Sequence, residues 1–479
     1  MHITEDYLAR LKESETVELK ESAEKIPLSF YESYCAMANG QGGTIYLGIV
    51  EGEPQNTICG VENAPQKVKQ LCNALTMRDK IANNIFYSND VSIVKTSHGD
   101  VIKVDVRPVP MEQRPVYLNN DPALSYKRVG EGDKKLDEDE VRGMINDSSK
   151  TKFDQKANLL GLGFDDLDPT AVEHFIERAK AARRIASVET MSPLQIMRRI
   201  GAIVIDPESK KEVLTNGAVL FFGTSVGIHS TCGSLWMEYR EMTAESERYA
   251  HRITNKDLNY EPNIFSFFER VENRLGDVLP TPFHLNETGT NDGKSLVTEI
   301  IREALANAIS NVDLGSSLGV VIKKEGPFLS LRNAGGLLTG MEQARAGGVS
   351  KPRNPCIFNF FLAIGITDHG GYGVPTIFER MKSLHMPEPT LQESGNRDET
   401  TLSLMFSQNS NHLSAEEKEV MALLYRNPTG LSSSEVAGEL NVSAEKARQI
   451  LLGLIEKGEA RDNGMARKGR LYFASNKEN

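Results

Sequence analysis

The sequence predicts a multidomain α+β protein: an α/β first domain, a mixed α/β middle region, and a C-terminal three-helix unit followed by a basic extended stretch. Three observations carry that expectation. The chain has 479 residues, too many for one core when domains average roughly 150 residues. Hydrophobic residues at 39% and charged residues at 25% are globular proportions, so apolar burial is available along the chain to offset conformational entropy. Helical spacing alternates with period-two runs from end to end, interrupted by polar stretches at 147–152 and 407–411 that read as linkers.

Composition narrows the function classes. Lys plus Arg number 55 and Asp plus Glu 66, a net charge of −11, which argues against a protein that coats nucleic acid or membrane through bulk charge. Apolar runs are short and the first residues carry no charged-then-apolar leader, so the expectation is a cytoplasmic protein with no membrane partner. The five cysteines, Cys35, Cys59, Cys72, Cys232 and Cys356, are scattered with no C-x-x-C pair, so buried free thiols are expected rather than disulfides or zinc. The nine histidines show no ligand spacing.

Element by element, the apolar positions of 30–38 fall at helical spacing, and Asn39-Gly40-Gln41-Gly42-Gly43 breaks that helix and opens a β-rich run at 44–50. Further strands are expected at 91–94 and 101–106, and a short helix at 138–145. Asp168-Pro169 is an N-cap with proline at the first helical position, starting a helix to 183, and a second begins at Ser192-Pro193. Residues 218–222 read as a buried strand, 263–275 and 295–309 as helices, and 319–322 with 328–331 as paired strands. Helices are expected at 416–425, 433–440 and 444–457.

Chemistry-bearing residues gather in three places. In the first domain, Glu18 and Lys20 project to one strand face because side-chain direction has period two, with Glu13 just upstream and Glu51 at the end of the next strand. Carboxylates converging from different elements are what a divalent ion such as Mg or Mn needs. Acidic residues on a surface strand can equally be solvated. The spacing Glu13-x-x-x-x-Glu18-Leu19-Lys20, then Ala38-Asn39-Gly40-Gln41-Gly42-Gly43 and the apolar strand ending at Glu51, resembles the Schlafen family's N-terminal domain, also called Alba-like or divergent AAA. The resemblance implies a Schlafen-like α/β nucleic-acid domain over 1–146. It also implies a metal-dependent endoribonuclease site at Glu13, Glu18 and Glu51, acting on structured RNA such as tRNA, with Lys20 steadying phosphate charge. Leu19 stands where the family has Phe, and Glu51 where it has Asp.

In the middle region, Glu303 and Asn307 lie one turn apart on a helix, the geometry for holding a magnesium-bound phosphate, and Gly335 and Gly370-Gly371-Tyr372-Gly373 make glycine turns suited to anions. This set resembles the GHKL ATPases. Ser350-x-x-Arg353-Asn354-Pro355 and 365–375 resemble the RecG-C-terminal-like module that follows Schlafen-type domains in bacterial transcriptional regulators. A region over 155–405 binding ATP through Glu303, Asn307, Asn333, Gly335, Gly371 and Gly373 is thereby implied, with weak ATPase activity at most, since Asn333 replaces the family's Asp. Two look-alikes are set aside. The stretch 288–295 resembles a P-loop, but its first glycine is displaced, so Lys294 and Ser295 are expected to start the Glu303 helix. Residues 223–227 match a nucleophile elbow, but 228–233 read as a turn rather than the helix it requires.

At the C-terminal end, 431–443 has helix-turn-helix spacing, and 458–472 reads as a hairpin wing. The unit resembles a winged helix over 412–475, with Ser443, Lys446 and Arg448 on the reading helix and Arg467, Lys468 and Arg470 contacting phosphate. The combined expectation is a nucleotide-responsive DNA-binding transcriptional regulator, and the alternative is the endoribonuclease. The partners are DNA, structured RNA or both, and self-association is compatible with either.

Overall fold

The computed structural model describes residues 3–206, 208–233, 235–242, 249–282, 292–368, 370–394, 399–407, 414–427, 430–440, 442–465 and 469–475. They form two units, Met1–Thr151 and Lys152–Asn479.

In the first unit, strand Val17–Lys20 runs parallel to Gly43–Leu47 because the helix Leu28–Asn39 carries the chain back between them. Gly99–Val106 and Val91–Thr96 complete a four-stranded sheet by antiparallel pairing. The expected run at 44–50 is split at Gly48, whose φ of 96° lets Ile49–Val50 leave to pair with Thr57–Ile58. Phe30, Tyr34, Ile45, Leu47, Leu71 and Val104 form the core between the sheet and the helices Leu28–Asn39 and Ala64–Thr76. Leu8, Leu19, Tyr46 and Val101 form a smaller core on the other face. At Gly42 (φ 78°) a Cβ would lie 2.6 Å from the Val106 carbonyl oxygen, so the turn ending the helix requires glycine.

The second unit is built on a six-stranded sheet in the order His251–Thr254, Met237–Met242, Val320–Glu325, Phe328–Ala334, Glu399–Met405, Thr390–Ser394. Met237–Met242 and Val320–Glu325 are parallel, and the other neighbours are antiparallel. Alternation decides its two faces. Tyr239, Ile322, Leu329, Leu331 and Leu404 point into a core shared with Ile264–Val278, Gly293–Ser310 and Pro355–Ala363, where Phe175, Phe221, Phe265 and Phe360 pack mainly edge to face. The opposite face carries Arg240, Lys323, Ser330 and Arg332.

Residues 218–222, expected as a strand, are instead part of the helix Asn216–Phe222, capped by Thr215 accepting from the Ala218 N–H. A short run buried on all sides has no period to separate helix from strand. Ser225–Thr231 is also a helix where a turn was expected. The nucleophile elbow is nonetheless absent, because a helix rather than a strand precedes it. Lys294 and Ser295 do open the Gly293–Ser310 helix, while the P-loop look-alike's 288–291, most of the 407–411 linker and His369 lie outside the described residues. Cys59 is exposed and Cys72 and Cys232 half-buried, so only Cys35 and Cys356 are the buried thiols expected of all five. No helix among the described residues is long and apolar enough to cross a membrane.

Helices Ala415–Arg426, Ser433–Glu439 and Ala444–Glu456 are followed by the antiparallel pair Ala460–Asp462 and Tyr472–Ala474, with Leu431 bridging to Tyr472. Val420, Leu424, Val436, Leu451, Leu454 and Tyr472 form a core that takes in Phe328 and Met405 from the sheet. Tyr425 stacks on Phe328 at 6.2 Å and 5° between planes, which docks these helices onto the sheet's polar side.

Candidate functional site

The first unit brings Glu18 and Lys20 to one face, but that face lies under the Leu28–Asn39 helix. Glu18 pairs with Ile45 in register, and its side chain is 5% exposed. Lys20 Nζ lies 2.5 Å from Glu18 Oε1, and the Arg128 guanidinium, itself 3% exposed, pairs with Glu18 Oε2. Ser33 Oγ, with one proton to donate, lies 2.6 Å from Asp133 Oδ2 and 3.3 Å from Glu18 Oε1, and Arg128 Nη1 reaches Asp133 at 2.9 Å. The hairpin of Tyr126–Val129 and Gly132–Lys135 supplies Arg128 and Asp133, and Asn39 positions it by donating to the carbonyls of Val116 and Tyr126 at 2.8 and 3.0 Å. Glu13 accepts from the Leu19 N–H at 3.0 Å. Burial raises its carboxyl above the ordinary value, with the charges of Glu18 and Glu51 adding to the rise. Glu51 is exposed.

Glu18 is thus ion-paired with two cations, while its buried Oε2 has no hydrogen-bond partner among the described residues. Among the described residues no group of three His, Cys, Asp or Glu side chains is placed to hold a metal. A Mg or Mn ion held by the expected set of Glu13, Glu18 and Glu51 would have to take the place that Lys20 and Arg128 hold on the central carboxylate. Arg128 and Asp133 were not singled out from the sequence, since they come from a hairpin over a hundred residues away in the chain.

In the second unit, Glu303 and Asn307 face the glycine turn. Asn307 Nδ2 donates to Glu303 Oε1 at 3.1 Å. Glu303 is 7% exposed, and burial pushes its carboxyl up to about 7. A Cβ at Gly373 would stand 2.1 Å from Glu303 Oε1 and 2.9 Å from Asn307 Nδ2, so the first turn of the Gly373–Ser383 helix lies directly on the pair. At Gly371 (φ 69°) a Cβ would lie 2.4 Å from the Val349 backbone. A glycine turn opening a helix above a polar pair is the kind of arrangement that holds phosphate, but here the turn is closed onto the pair.

At Gly335 (φ 97°) a Cβ would lie 2.2 Å from Arg353 Nη1, and that guanidinium donates to the carbonyls of Asn311 at 2.6 Å and Gly336 at 3.0 Å. Asn333 turns its amide to the backbone of Ala334, at 3.1 Å. Arg353 therefore occupies the Gly335 turn that was expected to help hold the nucleotide.

On the C-terminal helices, Ser443 caps Ala444–Glu456 by accepting from the Lys446 N–H at 3.2 Å. Lys446 pairs with Glu416, and Arg448 lies 3.9 Å from Glu445. Arg470 holds Asp462 at 3.0 Å across the hairpin. Arg467 and Lys468 lie outside the described residues.

Comparison with known proteins matches three segments of the chain. Residues 13–137 match the family described as "Schlafen, AlbA_2", residues 142–238 a domain of unknown function, DUF8451, and residues 328–403 the family described as "Putative ATP-dependent DNA helicase recG C-terminal". No curated protein matches the chain. Among solved structures, the DIP2311 protein from Corynebacterium diphtheriae is similar at 17% identity and a TM-score of 0.40, over 96% of this chain and 92% of that one. The N-terminal domain of a RecG-related protein from Nitrosomonas europaea is similar at 18% identity and a TM-score of 0.20, over 26% of this chain and 86% of that one. Glu13, Glu18, Lys20 and Glu51 fall within the first matched segment, and Asn333, Gly335, Gly371 and Gly373 within the last. The chain carries a Schlafen, AlbA_2 domain at 13–137 and, at 328–403, a region of the RecG C-terminal type.

Proposed function

We propose that this chain is a nucleotide-responsive DNA-binding regulator of transcription, with its C-terminal helices and hairpin acting as a winged helix. Domains of the Schlafen, AlbA_2 and RecG types point to a nucleic-acid-binding protein. The observation that carries the finer reading is a single strand, Phe328–Ala334. It begins at Phe328, stacked on Tyr425 of the C-terminal helices, and ends at the Gly335 turn held by Arg353. A nucleotide phosphate would be held by main-chain N–H groups of 371–373 and by Asn307, with Glu303 beneath. The phosphate's charge is what ATP supplies there. Accommodating it requires the Gly373 backbone to move off Glu303 and Asn307. That shift alters the packing that ends at the C-terminal helices, because packed interfaces respond in discrete steps.

The test is anisotropy of a fluorescent duplex DNA with and without ATP. Wild type is expected to bind with an affinity that ATP changes, Asn307→Ala to bind without responding, and Arg467→Ala with Lys468→Ala to bind more weakly with a shallower salt dependence. DNA affinity indifferent to both ATP and the hairpin variant sinks the proposal. The same preparation, incubated with tRNA and Mn²⁺ or Mg²⁺ beside Glu13→Gln, tests the endoribonuclease alternative, which requires cleavage lost in that variant.

A further inference from the structure

The polar face of the six-stranded sheet carries a row of cations that no part of the nucleotide site uses. Register sets Arg252 opposite Arg240, and Arg240 opposite Lys323, on three adjacent strands, while Arg332 stands one strand further along, beside Val321. Like charges directly opposite one another on a sheet are destabilising. The row is only partly compensated. Glu238, fully buried, lies between Arg240 and Arg252, 2.5 Å from each, and Glu399 holds Arg332 at 2.9 Å. Lys323 has no ion-pair partner among the described residues, and its ammonium is pulled below the usual lysine range by desolvation and by Arg332 and Arg240.

The carboxylates lie beneath and the cations lie outside. Glu238 and Glu399 are nearly inaccessible, whereas the side chains of Arg240, Arg252 and Arg332 are 39%, 33% and 32% exposed and Lys323 is exposed. The third carboxyl position of the face, Glu325, is pushed by burial up to about 7 and offers little counter-charge. Neighbouring positions are Ser330 and Thr401, so the surface is polar and wet rather than an apolar docking face. On adjacent strands spaced about 4.8 Å, three cations span roughly 10 Å, the reach of two or three successive phosphates of one DNA strand. In a chain of net charge −11, a cationic strip on one sheet face also orients an approaching polyanion toward it. One strand carries Lys323 and, two residues on, Glu325 beside Phe328, where the C-terminal helices dock, so the strip adjoins the proposed reader.

We infer that this strip, Arg252, Arg240 and Lys323 with Arg332 beside it, is a second contact surface for the phosphate backbone of duplex DNA, extending the footprint of the C-terminal helices. The inference rests on the DNA-binding reading of the chain and adds a surface to it. Lys323→Gln removes the uncompensated charge from an exposed position and breaks no ion pair. It is expected to weaken duplex binding severalfold and to make the slope of log affinity against log salt shallower by about 0.9, the loss of one phosphate contact. Its melting temperature should be unchanged or raised, because a repelled cation is gone. Lys323→Glu should weaken binding further.

Duplex affinity and salt slope measured on both variants beside Arg467→Ala with Lys468→Ala separate the outcomes. Binding lost in the hairpin variant and unchanged in both Lys323 variants overturns the strip alone. Binding lost in the Lys323 variants and kept in the hairpin variant upholds the strip and overturns the winged-helix reading. No duplex binding by wild type, or preference for a structured RNA probe over the duplex, overturns the assignment of the strip to DNA.

Discussion

Replacing Glu18 with Ala should destabilise the first unit enough to obscure any functional result. The carboxylate is 5% exposed and neutralises Arg128, 3% exposed, and Lys20, 19% exposed. Removing one partner of a buried ion pair costs about 3–5 kcal/mol, because the remaining charge is left without compensation. Here the lower end applies. Asp133 stays 2.9 Å from Arg128, and Lys20 retains a path to water. About 3 kcal/mol in a unit of this size lowers its melting temperature by roughly 6–12 °C. Calorimetry of the full chain should resolve the shift, and fluorescence of the single tryptophan, Trp236, identifies the transition of the second unit, which should not move. A shift below about 2 °C would refute the reasoning, because it would mean that Arg128 and Lys20 are not dependent on Glu18. The consequence reaches the nuclease question: loss of RNA cleavage in Glu18→Ala would report unfolding as readily as chemistry. Glu13→Gln is the cleaner probe. Its amide oxygen can still accept from the Leu19 N–H, and the change should cost under about 1 kcal/mol.

Three other predictions concern the second unit. Glu303, with a folded value of about 7 against 4.5 unfolded, favours folding in its neutral form, so its contribution is full below pH 4.5 and is lost as pH rises through about 7. Glu303→Gln should flatten the pH dependence of urea unfolding followed by Trp236 over that window, with Asp154 and Glu325, also near 7, retaining part of the slope; an unchanged slope counts against a buried Glu303. Gly373→Ala should cost about 1–3 kcal/mol by overpacking against Glu303 and Asn307, read from the same urea midpoints, and wild-type stability would mean the turn stands off the pair. Phe328→Ala should lower hydrogen-exchange protection across 415–456 without touching the first unit, since the ring stacks on Tyr425; equal protection in both proteins would show that the C-terminal helices are not held by the sheet.

Local patterns were legible wherever a period or a cap carried them. Asp168-Pro169 and Ser192-Pro193 start helices as their capping chemistry dictates, and the three C-terminal helices fall within two residues of the spacing. The motif Asn39 to Gly43 marked the helix break correctly, because Gly42 needs a positive φ that few other residues accept. The run at 218–222 failed because a segment buried on every side carries no period.

For the sites, sequence by itself determined which residues share an element: Glu18 with Lys20 on one strand face, Glu303 with Asn307 on one helix turn. Only the tertiary structure decided what stands opposite. It set Arg128 and Asp133, from a distant hairpin, against Glu18, and so made an expected metal ligand the centre of a buried ion network. It filled the Gly335 turn with Arg353, and aligned Arg252, Arg240 and Lys323 from three separate strands into one row. The physical reason is common to all three. Periodicity fixes direction along an element, whereas burial and charge compensation depend on partners brought together only by packing between elements distant in the chain.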